Sequence, residues 1–301
     1  MGWFKTKRAK PLGQLGVEAG SHGVSLAQVH RQPAGLPRLL CCDHRDGHLA
    51  DALKELVQAH RLEGSSVNFL LQPADYQIFL LEAPDVPPEE LAAAMRWRVK
   101  DVISQPLEEV VIDSFALPAD AYRGRTRMAY CVVLPKTRMA AIATAVTEAG
   151  LVLASIDIPE MAFRNLGLLA GADGINIALL QLRASEGLIC VQNGADIYMA
   201  RRIEQGVRAG QDMGGVALEI QRSLDYFESQ LGKGYINRMF LLPTESDAEG
   251  THQALASGMA INLLRLDLGE LFDEHSEADL PPSLQARCLG AVGAALREAA
   301  R

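Results

Sequence analysis

The chain has 301 residues, 49% of them hydrophobic, and carries 37 acidic against 29 basic side chains for a net charge of -8. That length exceeds one typical domain and predicts two lobes, or a domain with an insertion, around a large core. The acidic balance excludes a general nucleic-acid binder, which needs a basic face to neutralise phosphates. Five cysteines, an odd set without C-x-x-C spacing, exclude a zinc site or a disulfide framework and predict reduced thiols. No apolar run approaches the ~18 to 20 residues of a membrane span, so a soluble chain is expected.

The opening segment MGWFKTKRAK holds Lys5, Lys7, Arg8 and Lys10 beside Trp3 and Phe4, with no acid. Cations next to interfacial aromatics suit peripheral contact with an anionic membrane through residues 1–10, each contributing on the order of 1 kcal/mol. An unstructured tail is the plainer reading. Strands are then expected at 12–17, 24–30 and 36–42, the first two joined by the tight turn GSHG at 20–23. Asp43, His44, Asp46 and His48 follow. Nothing in their spacing fixes a ligand geometry, so they read as a solvated loop before a helix at 49–61, and no metal is expected.

Alternation predicts strands at 67–72, 76–82, 110–117, 127–134 and 151–156, with a helix at 137–149. Between the second and third of these strands lies a well-specified helix. Pro87 or Pro88 suits its first position, Glu89 and Glu90 meet the positive end of its dipole, and Pro106 stops it. Leu91, Met95, Val99 and Val102 form its buried stripe, while Arg96, Lys100 and Asp101 lie opposite, with Trp97 among them. A large aromatic held on a polar side either shields a neighbouring strand or anchors a partner, since Trp is enriched at binding hot spots. No serine, histidine or carboxylate constellation has catalytic spacing, and the module reads as a binding platform with no catalytic residue.

Beyond it come a short helix at 159–169 and a crossover at 170–174. A second hairpin at 175–182 and 187–192 and a strand at 196–203 follow. An amphipathic helix at 213–230 presents Val216, Ile220, Leu224 and Phe227 on one face. A strand at 235–242 ends in LLPT, and a helix at 245–257 and a strand at 261–266 lead to a terminal helix at about 282–297.

RW at Arg96 and Trp97, followed by QPLEEVVID at 105–113, resembles a signature in the inserted subdomain of the PilM family. These are actin-like cytoplasmic components of type IV pilus assembly platforms, and MshI of the mannose-sensitive haemagglutinin (MSHA) pilus is a close variant. The order of the flanking elements fits over nearly the whole chain. The resemblance implies an α/β, actin-like (ribonuclease H-like) two-lobed fold with an inserted ββαββαβ (SHS2-like) subdomain. The first lobe would take 1–65 and 159–173, with the helix at 281–301 returning to it; the insertion would take 66–158 and the second lobe 174–280. By the same resemblance the chain is a cytoplasmic scaffold, peripheral at the inner membrane. It would dock the N-terminal peptide of a PilN-like bitopic inner-membrane protein in a groove between the first lobe and the insertion, with Arg96 and Trp97 as candidate partner-binding residues. INLL at 261–264 resembles that peptide, though a plain strand is the simpler reading, since apolar residues with one polar interruption are ordinary there.

In actin-like ATPase lobes an Asp-x-Gly turn faces the phosphates and metal. The corresponding residues are Glu18, Ala19 and Gly20, and with Ser21 they mark a degenerate nucleotide cleft. Laying the second hairpin on the first aligns Gln181, Leu182 and Arg183 with them. Gln181 removes the metal-positioning carboxylate, and Arg183 puts a long side chain where a phosphate loop uses glycine. Pro243, in the strand that would lie under a base, supplies no amide. No G-x-x-x-x-G-K-[ST] loop compensates. A non-enzyme without cofactor is expected, and ATP with magnesium is disfavoured. The alternatives are an active actin-like ATPase, for which Glu18 and Gly20 speak, and a type II secretion platform component.

Overall fold

The computed structural model describes residues 13–122, 126–207, 213–231, 234–245, 248–259 and 261–298. The basic segment 1–10 lies outside them. The strands β1 (Gln14–Gly20), β2 (Gly23–His30) and β3 (Arg38–Arg45) form an antiparallel meander. Its first turn needs glycine: Gly23 has φ +129°, and a Cβ there would lie 2.1 Å from the Arg45 carbonyl oxygen. The helix α1 (Leu49–His60) buries Ala52, Leu53, Leu56 and Val57 at helical spacing. Next come β4 (Ser66–Leu70), β5 (Gln77–Glu82), α2 (Leu91–Val99), β6 (Val110–Ala116), β7 (Met128–Pro135), α3 (Lys136–Glu148), β8 (Val152–Asp157) and α4 (Pro159–Leu169). The second half contains β9 (Asn176–Leu182), β10 (Gly187–Asn193), β11 (Asp196–Ile203), α5 (Gly214–Tyr226), β12 (Arg238–Leu241), α6 (Ala248–Gly258), β13 (Leu263–Arg265) and α7 (Pro282–Ala295).

Two five-stranded sheets repeat one design. The first runs β3-β2-β1-β4-β8 and the second β11-β10-β9-β12-β13; in each, a three-strand meander is extended by two parallel strands. Helices α4 and α7 lie between the sheets. A single core joins Val29 and Leu39 of the first sheet, Phe163 and Val292 of the helices, and Leu179 and Cys190 of the second. Each fully buried Val, Leu or Phe contributes about 1.5–3 kcal/mol. The terminal helix sits directly on β1. A Cβ on Gly16 would stand 2.0 Å from the Ala291 carbonyl oxygen, so only glycine permits this approach.

A third sheet, β5-β7-β6, stands apart. The sequence placed 66–158 in the insertion, but the structure draws it tighter. β4 and β8 hydrogen-bond in parallel within the first lobe's own sheet, and α3 packs on α1. The separate sheet therefore runs from Gln77 to Pro135. The helix α2 is also shorter than its prolines suggested. The Val99 carbonyl accepts from both Val102 and Ile103 amides, turning the chain so that Ile103, not Val102, packs inward. Val102 is 46% exposed, and Pro106 caps a short 3-10 turn, Leu107–Glu109, instead of ending the helix. The helix α5 changes pitch, continuing as a π-helix over Phe227–Leu231 that turns both of those side chains inward.

Candidate functional site

The two hairpins aligned by sequence meet across the lobes. Glu18, near the end of β1, accepts hydrogen bonds at Oε1 from Gln72 Nε2 at 2.7 Å and from Arg183 Nη2 at 3.3 Å. Arg183, just past β9, donates through Nη1 to Gln72 Oε1 at 2.7 Å and through Nε to Gln181 Oε1 at 3.2 Å. The side chains of Glu18 and Arg183 are 12% and 29% exposed, so the pair is largely shielded from solvent. Glu18 reaches this position because α7 offers Gly290 beside it: a Cβ there would stand 2.1 Å from Glu18 Oε2. Gly20 faces the Gln72 side chain, and Ser21 is exposed on the turn. Pro243 follows β12, after the Leu242 amide has bonded the Leu180 carbonyl.

This donor set does not fit magnesium with a nucleotide. One carboxylate, two carboxamides and a guanidinium are committed to one another, and the guanidinium neutralises the carboxylate that would hold the metal's water. Among the described residues no group of three or more His, Cys, Asp or Glu side chains is arranged to hold a metal ion. The neighbouring cleft, lined by Tyr76, Glu160, Arg183 and Arg202, leaves about 10 Å³, the space of one water. Glu160 was not singled out by sequence. It is 1% exposed, and burial raises its carboxyl above the ordinary range, although the hydrogen bond from Tyr76 at 2.7 Å opposes the shift. A glutamate flanked by Pro159, Met161 and Phe163 was the available signal.

The expected solvated cluster divides, with Asp46 and His48 exposed in the loop before α1 and the other two residues in a strand. Asp43 and His44 lie in β3, where Asp43 bonds His60 Nε2 at 3.0 Å and Arg45 Nη1 at 2.9 Å, and His44 Nδ1 meets Ser25 Oγ at 2.9 Å. Burial pushes the Asp43 carboxyl up, but the His60 ring, the His44 amide and Arg45 together outweigh it and hold it below its usual value.

The inserted sheet has two unlike faces. On β7, Ala129, Cys131 and Val133 point outward against Leu91, Met95 and Val99 of α2. Tyr130, Val132 and Leu134 point inward to the lobes. Trp97 is 68% exposed on the side of α2 away from the sheet. The sequence reading joined Trp97 to a groove between the first lobe and the insertion; the sheet separates the two. That seam is instead lined by half-buried Ile78, Phe115, Val132 and Met139. Arg96 donates to the Leu107 carbonyl at 2.6 Å, fastening the loop after α2.

No family model matches the chain, and no curated protein matches it. Among solved structures it is similar to one described as the PilM-PilN type IV pilus biogenesis complex, at 20% identity over 95% of this chain and 98% of that chain, with a TM-score of 0.75. It is also similar to a Bacteroides thetaiotaomicron protein with actin-like ATPase fold and unknown function, at 10% identity over 85% of this chain and 91% of that one, with a TM-score of 0.52. At such identities the likeness concerns architecture. With the repeated sheets and the two helices between them, it establishes an actin-like, two-lobed α/β fold carrying an inserted sheet.

Proposed function

We propose that this chain is a non-catalytic scaffold of a type IV pilus assembly platform, of the MSHA type, that docks the N-terminal cytoplasmic peptide of a PilN-like bitopic inner-membrane protein. The observation that carries the reading is the Arg183–Glu18 pair, which places a protein cation and its counter-carboxylate between the lobes where an ATPase of this fold keeps phosphate and metal. The likeness to the PilM-PilN complex supports the partner class. In this reading the chain works in the cytoplasm at the inner membrane and contacts no nucleic acid.

The peptide bed is the seam of Ile78, Phe115, Val132 and Met139. A free peptide loses ordering entropy on binding, so it needs apolar anchors, and half-buried side chains at the margin of a sheet supply pockets for them. A second reading, docking on the outer face of α2, is favoured by the exposure of Trp97. Titration of a synthetic PilN-like N-terminal peptide into variants decides between them. A lost hot-spot aromatic costs at least about 2 kcal/mol, or roughly thirtyfold in affinity. Phe115→Ala should show that loss while Trp97→Ala binds as wild type. The reverse pattern moves the site to α2, and wild-type binding by both removes the insertion as the docking element.

A further inference from the structure

Three structural units converge beside the cleft. Glu160 belongs to α4, which leaves the first lobe, and accepts from the hydroxyl of Tyr76 at the root of the insertion. Arg202, on β11 of the second lobe, lays its guanidinium 5.2 Å from the Tyr76 ring centroid and donates to the Pro73 carbonyl at 2.8 Å. Higher on the same strand the Tyr130 hydroxyl donates to the Ala200 carbonyl at 3.0 Å and accepts from the Ala200 amide at 2.9 Å. That hydroxyl takes the place of the neighbouring strand that β11, at the edge of its sheet, lacks. A third tie joins the hydroxyls of Tyr122 and Tyr226 at 2.9 Å. Apolar packing follows the same path: Leu117 and Tyr130 of the insertion share a core with Tyr198 and Met199 of the second lobe, while Leu134 enters the core of the first.

From this arrangement we propose that the inserted sheet is a staple. With the segment Pro73 to Tyr76 at its root, it clamps β11 of the second lobe to α4 and the core of the first, so that the lobes hold one arrangement with no ligand between them. Any partner seated on the insertion is then mechanically coupled to the second lobe. Elsewhere the lobes meet through the central helices, the Arg183–Glu18 pair and backbone bonds from Asp273 and Glu277 to Pro37 and Leu39, and a module bonded to both faces of the opening adds contacts that must break before they part. Shape-preserving removal of the tyrosine hydroxyls tests the ties without opening a cavity in the core.

Spin labels at Lys54→Cys on α1 and Asp225→Cys on α5, both exposed positions, report the distance between the lobes by double electron-electron resonance. In the otherwise unchanged chain the distribution should be narrow without nucleotide. Arg202→Ala, and separately Tyr122→Phe with Tyr130→Phe, should broaden it at least twofold or add a second, longer distance. An unchanged distribution in both, with or without a lower melting temperature, overturns the staple and leaves these contacts as ordinary packing. A distribution already broad in the unchanged chain overturns it as well. Should Arg202→Ala fail to fold, the tyrosine pair, whose rings still fill their sites, decides alone.

Discussion

Replacing Arg183 with methionine removes the cation between the lobes while keeping a long stem. The cost follows from where the pair sits. Breaking a fully buried pair costs about 3–5 kcal/mol because a lone charge stays behind, whereas a solvent-exposed pair contributes about 0–1 kcal/mol. With 12% of the Glu18 side chain and 29% of the Arg183 side chain exposed, and Gln72 Nε2 still bonding Glu18, the loss lies between those limits, at about 2 kcal/mol. For a chain of this size that lowers the melting temperature by about 3 °C. Glu18→Gln keeps the contact with Gln72 but removes the charge, and the double variant completes a cycle. Its coupling energy should be about 1 kcal/mol, because the second substitution removes a carboxylate already left alone. Urea unfolding of the four proteins measures it. Additive effects, within about 0.3 kcal/mol, would show that Glu18 and Arg183 do not depend on one another and would refute the reading of the cleft as filled by an internal ion pair.

Other consequences are independent of that pair. Gly16→Ala should destabilise strongly, by about 3 kcal/mol or more, since its Cβ would strike the Ala291 carbonyl oxygen and the Ala295 amide nitrogen and push α7 off the first sheet; equilibrium unfolding checks this. Met95→Ala, at a site with 0% exposure, should cost about 2–5 kcal/mol, while Trp97→Ala two residues on should change stability by less than about 0.5 kcal/mol. The Asp43 carboxyl, held low in the fold, contributes stability that is whole above its unfolded value near 3.9 and is lost as pH falls through its lower folded value. Asp43→Asn should therefore flatten the acid limb of the stability curve while lowering stability at neutral pH. Burial pushes the Cys41 thiol up to about 12, so its labelling by a disulfide reagent at pH 8 should be more than about 100-fold slower in the native chain than in urea.

The sequence disclosed what local periodicity controls. The stripe Leu91, Met95 and Val99, the alternation along β7 and the two hairpins appear where they were expected, because a half-buried strand or helix must show its period. Sheet membership was not legible. β4 and β8 read as strands like any other, and only their parallel bonds to β1 and to each other assign them to the first lobe. Helix ends were misjudged where a turn outranked a proline, as when Val99 accepted two amides before Pro106 was reached. Aligning the hairpins matched Glu18 with Gln181 and Gly20 with Arg183, yet the bond from Arg183 to Glu18 across the cleft depends on how the lobes are set, which no local pattern encodes. The junction of Tyr76, Glu160 and Arg202 was missed for the same reason, since its members lie on three separate units. Trp97 was correctly placed on the polar side of its helix, but the face of the sheet that this helix covers, and hence its distance from the seam, required the tertiary structure.

The proposed scaffold recognises its partner without nucleotide. Calorimetric titration of the PilN-like N-terminal peptide into the chain, with and without millimolar ATP and magnesium, tests it most directly. One peptide should bind per chain, with the same affinity in both solutions and no heat from nucleotide alone. Peptide binding that appears only with ATP, or saturable binding of ATP by the chain itself, would contradict it.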